Sequence, residues 1–221
     1  MIVATANQKG GVGKTTIAVH CCVWLHENGL KVALVDADVQ SSSSVWAREV
    51  VPEMHIERLQ TSEDVLERVP ELASKFDMVV IDGPAGLTEV TRSTLLCADL
   101  ALLPCGPSVL DLRAADEAVR VVRQAQKIRN GLPRAMLVPN KLQRNFRLSR
   151  ELLDTAGTLG LDVAPGLGLR QAYADAAGQG TVVWRLGTNA REAAEEMHTL
   201  FKHVLSKQNH ESSQSNPSNQ H

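Results

Sequence analysis

The sequence predicts a single-domain α/β fold, with a mainly parallel sheet covered by helices on both faces. Short apolar runs of strand length alternate with longer apolar-periodic segments along the chain, which is the pattern of strands joined by crossover helices. Several of these runs are apolar at consecutive positions, as is typical of strands that are buried on both faces of a parallel sheet. The first run leads through a glycine-rich turn into a helix-forming segment, and no second domain or internal repeat is evident.

Length and composition agree with one globular domain. The chain has 221 residues, of which 43% are hydrophobic and 22% are charged, and its formal net charge is −2 at pH 7. A net charge this close to zero gives no global attraction to nucleic acid or to a membrane surface, so any such binding needs a local patch. We expect the folded domain to span residues 1–207, followed by a disordered Gln/Asn/Ser-rich tail over residues 208–221.

The glycine-rich turn carries the strongest chemical signal. A strand, a glycine loop and a helix in this order are the setting of a phosphate-binding loop, because backbone N–H groups and the positive end of the helix dipole converge on an anion. The residues expected to contact a nucleotide here are Gly10, Gly11, Val12, Gly13, Lys14, Thr15 and Thr16. Within this set, Lys14 is expected to reach the β- and γ-phosphates and the Thr15 hydroxyl to bind Mg²⁺.

Aspartates follow two of the later strands. Asp36 and Asp38 end the apolar run 32–35, and Asp82 ends the run 78–81. Acidic side chains at the carboxyl ends of parallel strands lie where an open α/β sheet binds its ligand. They could hold Mg²⁺ and polarise a water molecule, and we predict Asp36 and Asp82 as metal-binding residues. The alternative for one member of the first pair is a capping role before the serine-rich residues 41–44.

Residues 9–16, Lys-Gly-Gly-Val-Gly-Lys-Thr-Thr, match the deviant Walker A pattern K-G-G-x-G-K-T-T at every position. The chain therefore resembles the ParA/MinD superfamily of P-loop NTPases, and the resemblance extends from residue 2 to about residue 205. It implies that Lys9 is the signature lysine, which contacts the nucleotide of a partner subunit. It also implies that Asp38 orients the attacking water and that Asp82 ends a Walker B strand. Two departures from the family pattern are Val39, where a proline is usual, and Gly83 after the Walker B aspartate.

Other polar residues allow two interpretations each. Asn140 follows the predicted strand 134–138 and resembles the asparagine that contacts adenine in related folds, but an asparagine after proline equally suits a turn. A basic stripe on one side of a predicted helix is either a solvated face or a surface for DNA or a partner; it consists of Arg113, Arg120, Arg123 and Lys127. Further weak candidates for DNA phosphate contacts are Lys141, Arg144, Arg147, Arg150, Arg170, Lys202 and Lys207.

The resemblance implies a slow ATPase that uses ATP and Mg²⁺, most like the short ParF-type plasmid partition proteins. Such a protein would form an ATP-dependent homodimer, bind DNA non-specifically and segregate a plasmid or similar cargo with a ParB-like adaptor; higher assembly is left open. We accordingly expect a cytoplasmic, nucleoid-associated protein with no membrane partner. No apolar run approaches the ~20 residues of a membrane span, and the residues before the loop are too few for a signal peptide.

Two alternatives belong to other classes. A MinD-like membrane-cycling ATPase needs a basic amphipathic helix at its C-terminus, which the polar tail does not provide. An iron–sulfur carrier needs cluster cysteines at a dimer seam, and only Cys97 and Cys105 could be considered. Their position around a buried strand argues against that role, and we expect all four cysteines to be buried, reduced thiols.

Overall fold

The computed structural model describes residues 1–143, 150, 152, 154 and 159–206. The predicted tail and the DNA-contact candidates Arg144, Arg147 and Lys207 lie outside the described residues. The strands are β1 (Ile2–Asn7), β2 (Val32–Asp36), β3 (His55–Arg58), β4 (Met78–Ala85), β5 (Leu100–Cys105), β6 (Arg134–Pro139) and β7 (Asp162–Val163). The α-helices of the described residues include α1 (Lys14–Glu27), α2 (Ser42–Val50), α3 (Ser62–Lys75), α4 (Glu89–Cys97), α5 (Val109–Ile128), α6 (Gln171–Gly178) and α7 (Arg191–Ser206).

The strands form one sheet in the order β3-β2-β4-β1-β5-β6-β7, and every pairing between described neighbours is parallel. This confirms the predicted α/β class. Because β1 lies between β4 and β5, the loop that follows β1 emerges near the middle of the carboxyl edge. The connection after β1 leads to β2 on one side of the sheet, and the connection after β5 leads to β6 on the other side. Open α/β sheets bind ligands at the point where the connections diverge in this way.

Both faces of the sheet are buried, as the continuous apolar runs predict. Leu34 of β2 packs in the cluster that contains residues of α1, α2 and α7, whereas Ala33 and Val35 pack in a cluster with α3. This alternation follows from the two-residue period of a strand. A third cluster packs α4 and α5 against β5 and β6. The sheet is therefore held between two helical layers.

Several helix boundaries follow local sequence signals, whereas two helices that start at the carboxyl edge lack such a signal. Thr61 caps α3, Thr88 caps α4 and Ser108 caps α5, each side chain accepting a hydrogen bond from a backbone N–H of the first turn. By contrast, Gly13 before α1 and Ser41 before α2 provide no side-chain cap. The N–H groups at these two helix starts must find other partners.

The last helix, α7, packs an apolar face against the sheet. Its buried side chains include Met197, Leu200 and Phe201, which belong to the same cluster as α1. A short 3₁₀ turn, Thr188–Ala190, precedes the α-helix. Among the described residues, no helix is both long enough and apolar enough to cross a membrane.

All four cysteines are buried thiols. Burial raises the pKa of Cys21 to about 12. It likewise raises the pKa of Cys105 to about 12, with the nearby carboxylate of Asp111 adding to the shift. These thiols therefore remain protonated and unreactive at neutral pH.

Gly83 is required by the close approach of β4 to β1. A Cβ atom at this position would lie 2.4 Å from the carbonyl oxygen of Thr5. The pairing of β1 with β4 also shifts register between Thr5 and Asn7, next to this contact. At Gly83, where the sequence departs from the family pattern, the absence of a side chain thus permits this close approach in the centre of the sheet.

We predict that Gly83→Ala destabilises the protein by about 1–3 kcal/mol, because the backbone of β1 must move to admit the methyl group. The measurement is the free energy of unfolding in urea. Gly178→Ala is the matched control, since a Cβ atom at Gly178 has no neighbour within 4 Å, and it should change stability by less than about 0.5 kcal/mol. Equal effects of the two substitutions would contradict the steric explanation.

His20 joins α1 to the C-terminal part of the chain. Its Nδ1 lies 2.7 Å from the carbonyl oxygen of Thr16, and its Nε2 lies 3.2 Å from the backbone nitrogen of Val183. A carbonyl only accepts and an N–H only donates, so Nδ1 carries the proton and Nε2 accepts, which makes the ring neutral. Trp46 and Trp184 contact the ring edge-on, each at a centroid distance of 5.4 Å. Burial lowers the pKa of His20 to about 4, although the hydrogen bond to Thr16 partly opposes this shift.

We predict that acid destabilises the protein through His20. The folded-state pKa lies below the unfolded value of about 6.5, so the unfolded chain binds a proton that the folded chain excludes. The stability from a neutral His20 is therefore complete above pH 6.5 and is lost progressively toward pH 4, by up to about 3 kcal/mol. Unfolding in urea at pH 4.5–7.5 measures this slope.

His20→Gln should remove this loss of stability in acid, because glutamine does not titrate. The opposite contribution of Asp82, whose pKa burial raises to about 6, should remain in that window. His26→Gln is the control, since His26 is a partly exposed side chain on the same helix, beside Glu53. If both variants kept the wild-type slope, His20 would not be the group responsible.

Candidate functional site

The predicted site residues meet at the carboxyl edge of β1, β2, β4 and β6. The loop of residues 8–13 follows β1, and Asp36 and Asp82 are direct neighbours in the paired strands β2 and β4. Asn140 follows the last residue of β6 and is buried. The topology therefore brings together residues that are far apart along the chain.

The loop and the first turn of α1 present unpaired backbone donors. Within the described part of the chain, the N–H groups of residues 10–16 donate to no acceptor. Gly13 allows the sharp entry into α1 because it adopts φ 103°, which L side chains rarely tolerate. A helix start with free N–H groups and the positive end of the dipole is an anion-binding site.

The far side of this loop is held by the residues after β6. The Asn140 side-chain amide donates to the carbonyl oxygen of Val12 at 2.6 Å, and Lys141 Nζ donates to the carbonyl oxygen of Gly11 at 2.7 Å. A Cβ atom at Gly13 would lie 2.3 Å from the Asn140 amide nitrogen. With its carbonyls bound on that side, the loop keeps its N–H groups available for a ligand.

Asn140 thus acts as a brace in this structure. Its Oδ1 also accepts a hydrogen bond of 2.8 Å from the backbone nitrogen of Lys141, so both ends of the amide are engaged by backbone. The hypothesis that Asn140 contacts adenine stays a prediction. The turn interpretation describes the local backbone, because Lys141 has φ 57°.

Lys14 is buried at the centre of the site, with 6% of its surface exposed. Its Nζ donates to the carbonyl oxygen of Lys9 at 3.2 Å. Burial lowers the pKa of Lys14, and the negative charges of Asp82 and Asp38 oppose the shift. A buried ammonium between two carboxylates and a ring of free N–H groups is suited to bind phosphate.

Thr15 and Asp82 are in direct contact, as a shared metal site requires. The Thr15 hydroxyl donates to Asp82 Oδ2 at 2.8 Å. Burial raises the pKa of Asp82 to about 6; the Thr15 hydrogen bond lowers it, whereas the neighbouring charge of Asp36 raises it. The Ser43 hydroxyl faces the same carboxylate but is buried without a hydrogen bond of normal geometry. This set of hard oxygen donors around an under-neutralised carboxylate fits Mg²⁺.

Asp36 is fully buried and accepts hydrogen bonds from the backbone at the start of α2. Its Oδ2 accepts a hydrogen bond of 2.8 Å from the backbone nitrogen of Ser44, and its Oδ1 accepts one of 3.2 Å from that of Asp38. Asp36 therefore caps the start of α2, where Ser41 gives no side-chain cap. This is the capping role that the sequence leaves open for one aspartate, and the predicted role in metal binding stays a prediction.

Lys9 extends from the loop toward α5. Its Nζ lies 2.7 Å from Asp111 Oδ1. Its backbone nitrogen donates to Asn7 Oδ1 at 2.9 Å, while the Asn7 amide donates to the carbonyl oxygen of Pro104 at 2.6 Å. Lys9 is thus oriented by contacts within its own chain, and its side chain remains 42% exposed.

A cavity of about 500 Å³ opens beside the loop, which is a suitable size for a nucleotide base and sugar. Its lining includes Gly11, Gly13, Thr16, Asn140, Lys141 and residues 167–171. The outer wall is fixed by Glu196, which accepts hydrogen bonds from the Gly168 backbone nitrogen, the Arg170 guanidinium and the Tyr173 hydroxyl. Burial alone would raise the pKa of Glu196, but these hydrogen bonds hold it below its ordinary value.

The candidate DNA-contacting residues differ in whether their side chains already bind other groups of the protein. Arg170 contacts both Glu192 and Glu196, so its charge is already neutralised. Arg120 pairs with Asp116 at 2.9 Å, and Arg123 donates to the carbonyl oxygen of Leu159. The exposed candidates that make no ion pair or hydrogen bond with another described residue are Arg113, Lys127, Arg150 and Lys202.

Sequence reasoning missed several residues that build the site. The local sequence shows Asp111 only as an acidic residue in the first turn of a helix that Ser108 caps. That pattern does not reveal its contact with Lys9. Glu196 lies on α7, which packs against the sheet, and it also organises the cavity wall. Asn7 has no local signal other than its position at the end of β1.

The sequence profile of the family described as CobQ/CobB/MinD/ParA nucleotide binding domain matches residues 3–183. The chain belongs to this family. Maintenance of carboxysome distribution protein A from Halothiobacillus neapolitanus is 31% identical over 211 residues, which cover 91% of this chain and 95% of the relative. A solved complex of McdA from Cyanothece with ATP has a TM-score of 0.77 at 17% identity, covering 93% of this chain and 96% of that chain. Cobyrinic acid a,c-diamide synthase from Mycobacterium smegmatis, solved with ADP and magnesium, has a TM-score of 0.62 at 25% identity and covers 85% and 96%.

These similarities confirm the predicted ParA/MinD superfamily and its P-loop fold. The chain is a member of the CobQ/CobB/MinD/ParA family, which includes positioning ATPases of the ParA/MinD type. The ADP and magnesium in the Mycobacterium smegmatis synthase agree with the predicted use of ATP and Mg²⁺. The more specific likeness to ParF-type plasmid proteins stays a prediction.

We predict that Lys14→Ala abolishes measurable ATP binding, because a buried charge-assisted contact to phosphate is lost. The dissociation constant should rise by at least about a hundredfold. Isothermal titration calorimetry with Mg–ATP measures the dissociation constant. Lys127→Ala is the matched control, since Lys127 is exposed on α5 and should leave binding unchanged. Wild-type affinity in Lys14→Ala would contradict the assignment of the site.

Proposed function

We propose that this protein is an ATP-driven partition or positioning ATPase. It binds ATP with Mg²⁺ at the loop of residues 9–16 and closes face to face with a second copy over two nucleotides. In that state it binds DNA non-specifically and, with a ParB-like adaptor, segregates a plasmid or similar cargo. The observation that carries this proposal is the row of free N–H groups at residues 10–16, placed beside Lys14 and next to an exposed second lysine.

The chain's own groups divide the work of binding. The N–H groups of residues 10–16 and the Lys14 ammonium hold the phosphates, and they are already in place, so little reorganisation is needed on binding. Thr15 and Asp82 hold Mg²⁺, with Asp36 supporting the same edge. Bound Mg²⁺ would neutralise charge on the phosphate oxygens.

Asp38 is proposed to orient the attacking water. One carboxylate oxygen accepts a hydrogen bond of 2.9 Å from the Gln40 backbone nitrogen, which holds the side chain in position. Within the described residues, the other oxygen has no partner. The charge of Asp38 raises the pKa of Lys14, against the larger effect of burial, which supports a role for Asp38 near the lysine proposed to bind phosphate.

Lys9 is proposed to stabilise charge at the nucleotide of the second copy during hydrolysis, as an arginine finger does. Hydrolysis is expected to be slow and stimulated by the adaptor, with ATP serving as a timer for assembly. The similarity to a carboxysome distribution protein extends the range of cargo to protein compartments. We propose residues 1–207 as the ATPase domain, residues 208–221 as a polar tail, and a cytoplasmic, nucleoid-associated location.

We predict that DNA retains the protein only when ATP and Mg²⁺ are present. A DNA-coated biosensor surface should bind the protein with ATP but not with ADP or without nucleotide. Because phosphate contacts release counterions, the affinity should fall steeply as salt rises from about 50 to 200 mM, without dependence on DNA sequence.

Asp38→Ala should prolong retention, since it blocks hydrolysis while keeping the ATP-bound dimer, and Lys14→Ala should show none. Equal retention with ATP, ADP and no nucleotide would contradict the proposed cycle. Retention that depends on sequence but not on salt would contradict the non-specific mode of binding.

A further inference from the structure

The ion pair between Lys9 and Asp111 connects the nucleotide loop to the first turn of α5. The Lys9 ammonium is 2.7 Å from Asp111 Oδ1, and the Asp111 side chain is only 11% exposed. Asp111 is held from the other side as well, because the Ser108 hydroxyl donates to its Oδ2. The carboxylate is therefore a fixed acceptor, while the lysine side chain is the movable partner.

The backbone of Lys9 is fixed in the same protomer. Its N–H donates to Asn7 Oδ1 and its carbonyl oxygen accepts from Lys14 Nζ. With the backbone held at both groups, the direction of the Lys9 side chain is decided mainly by Asp111. In this state the ammonium points along its own protomer, toward α5.

We propose that Asp111 positions Lys9 as a latch, which must open before Lys9 can serve the nucleotide of a second copy of this chain. The inference rests on the proposed function, because it concerns the same ATP-dependent dimer. Each closing protomer must exchange the contact with its own Asp111 for a contact across the dimer. The latch thus opposes pairing of free protomers, and the negative phosphates of a bound nucleotide compete with Asp111 for the lysine.

The size of the effect suits a latch that ATP can open. An ion pair with one partner nearly half exposed is expected to change an equilibrium constant by about twofold to fivefold, not by many orders of magnitude. Two latches open in each dimer, so the effects multiply. If each open latch contributes about threefold, removing both should change the dimerisation constant by about tenfold.

The test is sedimentation equilibrium of the full chain with Mg²⁺ and the non-hydrolysable analogue AMPPNP. Asp111→Asn should tighten dimerisation by about tenfold, while the affinity of the monomer for nucleotide stays at the wild-type value. Asp111→Glu should restore the wild-type dimerisation constant, because it restores the charge. The matched control is Asp116→Asn, which removes an equal charge from the same helix, where Asp116 pairs with Arg120; it should leave dimerisation unchanged.

A second measurement reports on the free protomer. Acetylation of Lys9 by an amine-reactive ester, followed by mass spectrometry, should be about threefold faster in Asp111→Asn than in the wild type or in Asp116→Asn. This readout does not depend on dimer formation. A folding defect would instead change the labelling of many lysines at once.

Unchanged or weaker dimerisation of Asp111→Asn, or an unchanged Lys9 acetylation rate, would overturn the latch. If the wild type forms no dimer with Mg²⁺ and AMPPNP, the proposed function and the latch both fail. If the wild type dimerises and Asp111→Asn behaves identically, only the latch is wrong.

Discussion

The free N–H groups at the start of α1 are the constraint on which the site depends. Three other helix starts in the described chain are closed by a side chain, among them those at Thr61 and Ser108, and α2 is closed by Asp36, but α1 has only Gly13 in front of it. Its donors therefore remain open to a ligand. The loop is held by contacts on its carbonyl side from Asn140 and Lys141. Because these residues follow β6, the shape of the loop depends on the completed sheet and not on its own glycines alone.

The paired aspartates show how one edge of the sheet serves two purposes. Asp36 and Asp82 are neighbours in register, and two adjacent buried carboxylates would repel each other if nothing compensated them. Asp36 is compensated by backbone N–H groups, including that of Ser44 at the start of α2. Asp82 has the Thr15 hydroxyl and a pKa raised to about 6, chiefly by burial. The first carboxylate is thus structural in this state, and the second is the less compensated of the two.

The sequence predicts those features that depend on neighbours along the chain. The consecutive apolar residues of the strands and the motif at residues 9–16 are local patterns, and each gives the correct element. Contacts between distant segments have no such pattern. The choice of Asp111 as the partner of Lys9, and of Glu196 as the partner of Arg170, depends on which helix faces which loop after packing. For the same reason, Asn140 is recognisable as a strand-end residue, whereas its bond to Val12 is not.

His20 is a buried polar residue that joins α1, α2 and the C-terminal segment beside the nucleotide site. The ring bonds to Thr16, which lines the cavity, and to the backbone of Val183. It also packs against Trp46 of α2, the helix that follows Asp38. A purely apolar side chain could fill this space, but it would leave the buried N–H of Val183 without an acceptor, which is costly. A charged side chain would satisfy the bond but could not be buried there. Neutral histidine meets both requirements, and so α1, α2 and the C-terminal segment can pack around a single polar centre without placing a charge in the core.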